Sequence, residues 1–288
     1  MYVTSENIIN MARKMFAKRS ADVNKSSFGR AVIFGSSRDF VGAVKLSALG
    51  ELSMRMGTGY SVVAVPDEIV STIAPNIFEC VVAPQKSENG KFVFCEKTAT
   101  KTIQNASSVA IGMGMGKSVE VQKLISFIFQ NFSGNVIIDA DGLNSIDLSI
   151  LEKPRKCNLV LTPHVKEFSR LSNKSVEKIK SNAENLAKNF ASEYNLTLVL
   201  KDFQTIITNG EDTSKIEHGS PSLAKAGSGD FLAGAISGLS ANFEIFNSAV
   251  VASSIIASAS SEFSSQYNDN IMLSRDLFRM VADFIKTL

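Results

Sequence analysis

Short apolar runs recur along the chain at residues 31–34, 61–65, 108–111, 135–138, 159–161, 196–200 and 205–208. Most are unbroken and rich in Val and Ile, a pattern that suits strands covered on both faces, as in a parallel sheet flanked by helices. Between them, residues 44–56, 119–129, 176–190 and 231–239 carry apolar side chains three and four apart, the spacing of a helix with one buried face. Gly57 and Gly59 supply a stop for the first of these. The alternation predicts a three-layer α/β fold whose helices cross over between strands. Residues 196–200 and 204–208 lie too close together for a crossover, so they predict an antiparallel hairpin near one edge of a mixed sheet. From residue 229 onward no strand is expected. Two Ala-, Ser- and Ile-rich helical stretches there precede an amphipathic tail at 273–288, and all should pack on the sheet.

At 288 residues with 44% hydrophobic content, the chain can bury one sizeable core. Neither a linker nor an internal repeat is evident, which favours one domain over residues 1–288, with residues 1–23 as an N-terminal helix. Thirty basic against 28 acidic residues leave a net charge of +2 without a like-charge block, so no nucleic-acid footprint is expected. Three cysteines, Cys80, Cys95 and Cys157, are odd in number and widely spaced, arguing against a disulfide framework or a zinc knuckle. No apolar leader and no run of 18 apolar residues is present, so the expectation is a cytoplasmic protein without a membrane partner.

Several strand ends carry candidate chemistry. Gly112-Met113-Gly114-Met115-Gly116-Lys117-Ser118 resembles a Walker loop but has Ile111 where that loop needs glycine, and Lys117 where a dinucleotide fingerprint needs its third glycine. What remains is a glycine-rich loop able to bring backbone N–H groups close to a ligand. Ala226-Gly227-Ser228-Gly229-Asp230 precedes a helical stretch, and a helix N-terminus with flexible glycines suits a phosphate. Asp230 is either a helix cap or a base that takes a proton from an attacking hydroxyl. The paired acids of Asp139-Ala140-Asp141-Gly142-Leu143-Asn144 suit Mg²⁺ or an Asx turn. In Thr162-Pro163-His164-Val165-Lys166-Glu167, Pro163 opens a helix that puts His164 and Glu167 on one face. His218, without an acidic or cysteine companion, reads as solvated.

Taken in order, these segments resemble the ADP/ATP-dependent NAD(P)H-hydrate dehydratases of the ribokinase-like superfamily. The match begins near Asn24-Lys25 and Phe28-Gly29-Arg30, passes through Phe34-Gly35-Ser36 and Val41-Gly42-Ala43, and takes in the four segments above together with Leu200-Lys201. The resemblance implies a ribokinase-like α/β/α sandwich with a mostly parallel sheet. It implies that ADP or ATP phosphorylates the C6 hydroxyl of a hydrated nicotinamide cofactor and that phosphate then leaves, restoring NADH or NADPH. Within it, Ala43, Gly114, His164 and Asp230 meet the hydrated cofactor, and Asp230, Gly227 and Gly229 carry catalysis. Lys201, Asp202, Phe203, Gln204 and Thr205, with Ser228 and Gly229, line the adenine-nucleotide site. Glu167, Asp139 and Asp141 organise Mg²⁺. A homo-oligomer, such as a tetramer, is also implied.

Three departures from the family pattern stand out: Asp202 where glycine is usual, Met113 in place of proline, and Asn24-Lys25-Ser26 in place of His-Lys-Gly. A carboxylate at 202 would repel nucleotide phosphates unless it points away or meets a cation. The length also leaves no room for the epimerase domain fused to some relatives, so epimerisation is expected to reside elsewhere. The alternatives are a ribokinase-like vitamin kinase, acting on a hydroxymethylpyrimidine or hydroxyethylthiazole, and a silent nucleotide-binding protein.

Overall fold

The alternation of strand and helix resolves into one nine-stranded sheet in a computed structural model that describes residues 3–52 and 58–288. Eight of its strands come in the order β1 Arg30–Phe34, β2 Tyr60–Pro66, β3 Val81–Gln85, β6 Ser108–Ile111, β7 Asn135–Ile138, β8 Asn158–Leu161, β9 Thr197–Leu200 and β10 Thr205–Thr208, and β11 Thr213–Ile216 completes it. Ser87–Glu88 and Lys91–Phe92 form a separate hairpin of strands β4 and β5. Across the large sheet the order is β11-β10-β9-β8-β7-β6-β1-β2-β3. The seven strands from β9 to β3 are parallel, and β10 pairs antiparallel with both β9 and β11. The expected hairpin is therefore present, one strand in from the edge.

Successive residues of a strand point to opposite faces, and both faces are covered. Val32, Phe34, Val109, Ile111, Val136 and Ile138 face a layer that includes α4 Glu96–Ile103, α5 Val119–Asn131, α8 Val165–Ser172, α9 Val176–Ser181 and α10 Ala183–Glu193. Ile33, Val63, Ala110, Ile137, Val160 and Val199 face the other layer, built from α1 Ser5–Met15, α2 Ala43–Glu51, α3 Val70–Ile73, α11 Ser228–Ser240, α12 Ile245–Gln266 and α13 Leu277–Ile285. Two short helices, α6 Ala140–Asn144 and α7 Leu148–Leu151, follow β7. Burial on both faces explains why these strands read as unbroken apolar runs.

Several boundaries differ from the sequence expectation. The helix expected at 44–56 runs over Ala43–Glu51, and residues 53–57, including Gly57, lie outside the described residues. The helix expected at 176–190 breaks at Asn182, whose φ of −149° ends α9 and begins α10. The helix expected over 1–23 is Ser5–Met15, ended at Phe16. Pro163 does not open α8, because His164 caps it and Val165 begins it. His218 is not merely solvated: its Nε2 lies 3.1 Å from the Ser258 hydroxyl and 3.3 Å from the Ser254 carbonyl of α12. No described helix is long and apolar enough to cross a membrane.

Candidate active site

The loops that carry the candidate residues all leave the carboxyl ends of parallel strands, where open α/β sheets bind ligands. Helix α11 begins at Gly227, whose φ of +94° suits glycine, and a Cβ there would lie 2.2 Å from Leu46 Cδ1 on α2. No side chain caps this helix. Asp230 stands in its first turn, and its carboxylate makes no hydrogen bond to another described residue, so it is not a cap. Its carboxylate is largely buried, and burial together with the negative charges of Asp139 and Asp141 pushes it up to about 7, against the opposing pull of Lys201.

Lys201 and Asp139 form the floor of the site. Lys201 Nζ lies 2.8 Å from Asp139 Oδ1, and both side chains are mostly buried, at 21% and 3% exposure. A Cβ at Gly229 would meet Lys201 Nζ at 3.3 Å and Asp139 Oδ2 at 3.6 Å, so the missing side chain leaves the ammonium facing the start of α11. Backbone geometry fixes the lysine, since its N–H donates to the Pro163 carbonyl at 2.9 Å and it pairs in parallel with His164.

The carboxylates assigned by resemblance to Mg²⁺ are engaged by protein groups. Asp139 is taken by Lys201, Asp141 Oδ2 accepts the Gly116 N–H at 2.8 Å, and Glu167 Oε2 accepts the His164 N–H at 2.9 Å. Among the described residues no group of three acidic, His or Cys side chains converges as a metal site. Each of Glu167, Asp139 and Asp141 thus has one carboxylate oxygen bound to a protein donor. Burial raises the Glu167 carboxyl above its usual range, and Asp139 adds to this while its bond to the His164 N–H, Lys201 and His164 oppose it. His164 closes a capping box, its Nδ1 accepting the Glu167 N–H at 3.1 Å. A neutral ring bonded this way carries its proton on Nε2, on a side chain 53% exposed.

Gly114 and Ala43 lie against each other. Gly114 has a φ of +69°, and a Cβ there would lie 2.7 Å from Ala43 Cβ. Of the nucleotide-loop residues, Asp202 and Phe203 are exposed, the latter to 91%, so the carboxylate at 202 lies in solvent. Gln204 reaches Glu217 at 3.4 Å, and Thr205 opens β10. The Ser228 hydroxyl donates back to the carbonyls of Leu223 and Lys225, bracing the turn ahead of α11. Sequence reasoning missed two features. Ser36, in a left-handed conformation, accepts the Val44 N–H and so fixes α2 beneath the site. The Lys201–Asp139 pair joins residues 62 apart, brought together only because β7 and β9 flank β8.

Comparison with known proteins gives the family. The family model for NAD(P)H-hydrate dehydratase matches residues 31–282. The chain belongs to that family. It is 30% identical over 276 residues to the bifunctional NAD(P)H-hydrate repair enzyme Nnr of Dictyoglomus turgidum, covering 93% of this chain and 51% of the relative. The chain thus spans about half the length of the bifunctional relatives it matches. It is 25% identical over 284 residues to the ADP-dependent (S)-NAD(P)H-hydrate dehydratase of Streptococcus thermophilus, covering 97% and 98% of the two chains. The crystal structure of the Bacillus subtilis ADP/ATP-dependent NAD(P)H-hydrate dehydratase, co-crystallised with ATP/Mg²⁺, superposes with a TM-score of 0.85 at 25% identity, covering 99% of this chain and 98% of that one. The three-layer sandwich and mixed sheet are those of the ribokinase-like fold. The matching family model is that of a hydrate dehydratase, not of a vitamin kinase.

Proposed function

We propose that the protein is an ADP- or ATP-dependent (S)-NAD(P)H-hydrate dehydratase that repairs hydrated nicotinamide cofactor. The observation that carries this reading is Asp230, an uncapped and largely buried carboxylate with a pKa pushed up to about 7, at the start of a glycine-opened helix and beside Lys201. A base poised near neutrality is suited to take a proton from a hydroxyl as that oxygen attacks phosphorus.

In this reading Ala43, Gly114 and His164 bind the hydrated dinucleotide so that the C6 hydroxyl of its ring meets Asp230. The hydroxyl oxygen attacks the terminal phosphorus of ADP or ATP, the bond to the departing nucleotide breaks, and Asp230 receives the hydroxyl proton. Backbone N–H groups of Gly227 to Gly229 and the Lys201 ammonium stabilise charge on the moving phosphoryl. The ring nitrogen then expels phosphate from C6 and the C5 proton is lost, restoring the double bond. Lys201 to Thr205 with Ser228 and Gly229 form the nucleotide side, where the Ser228 hydroxyl is committed to the preceding turn and its N–H donates to the Lys225 carbonyl at 3.4 Å.

Mg²⁺ bound with the nucleotide would neutralise phosphate charge. The donor set fits an ion held chiefly by phosphate oxygens and water, with Glu167, Asp139 and Asp141 supplying surrounding negative charge, since each has an oxygen bound to a protein donor. The setting is the cytoplasm, in keeping with three free thiols, and the working unit is one ribokinase-like domain in a homo-oligomer without nucleic-acid or membrane partners. The test is stoichiometry. With hydrated NADH, Mg²⁺ and ADP, one AMP and one phosphate should form for each NADH recovered. A stable phosphorylated product without NADH recovery would instead make the protein a kinase, and nucleotide binding without turnover a silent binder.

A further inference from the structure

Phe40 presents an aromatic ring beside the glycine loop on backbone that cannot easily move. Its side chain is 58% exposed. A Cβ at Gly114 would approach Phe40 Cβ at 2.9 Å and its carbonyl oxygen at 3.1 Å. The turn is pinned on either side, because the Phe40 N–H donates to the Ser37 carbonyl at 3.1 Å and the Phe40 carbonyl accepts the Ala43 N–H at 3.3 Å. Past the same loop the surface stays open: a Cβ on Gly116 would meet nothing within 4 Å, and Val119 is 63% exposed.

One exposed aromatic is ordinary on a protein surface, so position decides. Lys201 follows β9, His164 β8, Asp139 β7 and Gly114 β6, while Phe40 follows β1, next in the sheet. With strands about 4.8 Å apart, the Phe40 loop lies about 10 Å beyond Asp139, on the side away from the nucleotide loop after β9. A dinucleotide with its hydrated ring at Asp230 and the phosphoryl donor over β9 has this direction left in which to extend. Its reduced nicotinamide ring is not aromatic and hydration removes a further double bond, so adenine is its one aromatic system.

Resting on the dehydratase reading above, we propose that Phe40 is the stacking platform for the adenine of the hydrated dinucleotide. It is a specificity residue, favouring the whole dinucleotide over its mononucleotide half through a ring face that any planar base can use.

The experiment compares wild type with F40A, F40L and F40W, using hydrated NADH and hydrated nicotinamide mononucleotide as substrates and equilibrium binding of ADP-ribose as a readout independent of turnover. F40A and F40L should raise KM for hydrated NADH and weaken ADP-ribose about ten-fold or more, with a much smaller change in kcat. F40W should restore both. With the mononucleotide, the ratio of variant to wild-type KM should fall towards one. F40L retains apolar bulk, so a matching loss in F40L identifies the ring rather than packing. An unchanged KM in an active F40A enzyme, an equal penalty on the mononucleotide, or a change in oligomeric mass with F40A overturns the proposal and leaves the dehydratase reading standing. A wild-type chain that neither turns over hydrated NADH nor binds ADP-ribose overturns both.

Discussion

Lys201 Nζ and Asp139 Oδ1 lie 2.8 Å apart across the floor of the site, beside the position where Gly229 lacks a side chain. The pair sets the charge around Asp230 from both sides, since Asp139 raises the Asp230 carboxyl and Lys201 lowers it. Removing one partner of a buried pair strands the other. K201M should therefore cost about 3–5 kcal/mol of stability, whereas the K201M/D139L double variant should recover much of it, as a double-mutant cycle by denaturant unfolding would read.

The pH dependence follows from the same contacts. With its pKa at about 7, Asp230 becomes a competent base only as pH rises through neutrality, so kcat/KM should climb across that range. D139N removes a negative neighbour and should move the rise to lower pH. K201M should move it higher. A profile flat through neutrality in the wild type would show that another group takes the proton.

Asp230 also sets function against stability. Its folded pKa of about 7 lies above the ordinary value of 3.8, so the folded state prefers the protonated carboxyl. Stability is then complete below about 4 and falls as pH rises through 7. D230N should abolish turnover, leave ADP binding nearly intact and raise Tm more at pH 8 than at pH 5. The distance between those two values sets an upper bound of about 4 kcal/mol on that gain. Equal loss of binding and turnover would make Asp230 structural.

Gly229 separates chemistry from folding. A Cβ there meets the tip of a flexible lysine rather than backbone, so G229A should fold with a Tm close to wild type. Displacing the Lys201 ammonium and crowding the anion hole should still lower kcat about 10²- to 10³-fold. Loss of Tm in parallel with rate would point to packing instead.

Away from the site, Glu51 is fully buried in α2, where the Ser61 hydroxyl of β2 is the one polar side chain that opposes the effect of burial on its carboxylate. Burial holds its carboxyl well above the usual range. The folded state again favours the protonated form, so stability is lost as pH rises through that raised value. E51Q should raise Tm at neutral pH by several degrees and change it little near pH 4, as calorimetry would read.

The parallel core is legible in the sequence because doubly covered strands must be apolar at every position, and β6 and β7 are such runs. Strands β3 and β11 escape it for physical reasons. β3 is an edge carrying Pro84 and a 54% exposed Val81, and β11 reads Thr-Ser-Lys-Ile. The break at Asn182 is hidden because apolar spacing continues across it. Asp230 and the glycine turn are visible as a local motif, whereas the Lys201–Asp139 pair joins residues 62 apart and no local pattern shows it.

The central claim is that Asp230 takes the proton as phosphoryl transfers to the hydrated ring. Its most direct test is recovery of reduced-nicotinamide absorbance from hydrated NADH with Mg²⁺, with and without ADP or ATP, by wild type and D230N side by side. Recovery should require nucleotide and wild-type Asp230 together; recovery without nucleotide, or undiminished recovery by D230N, would contradict it.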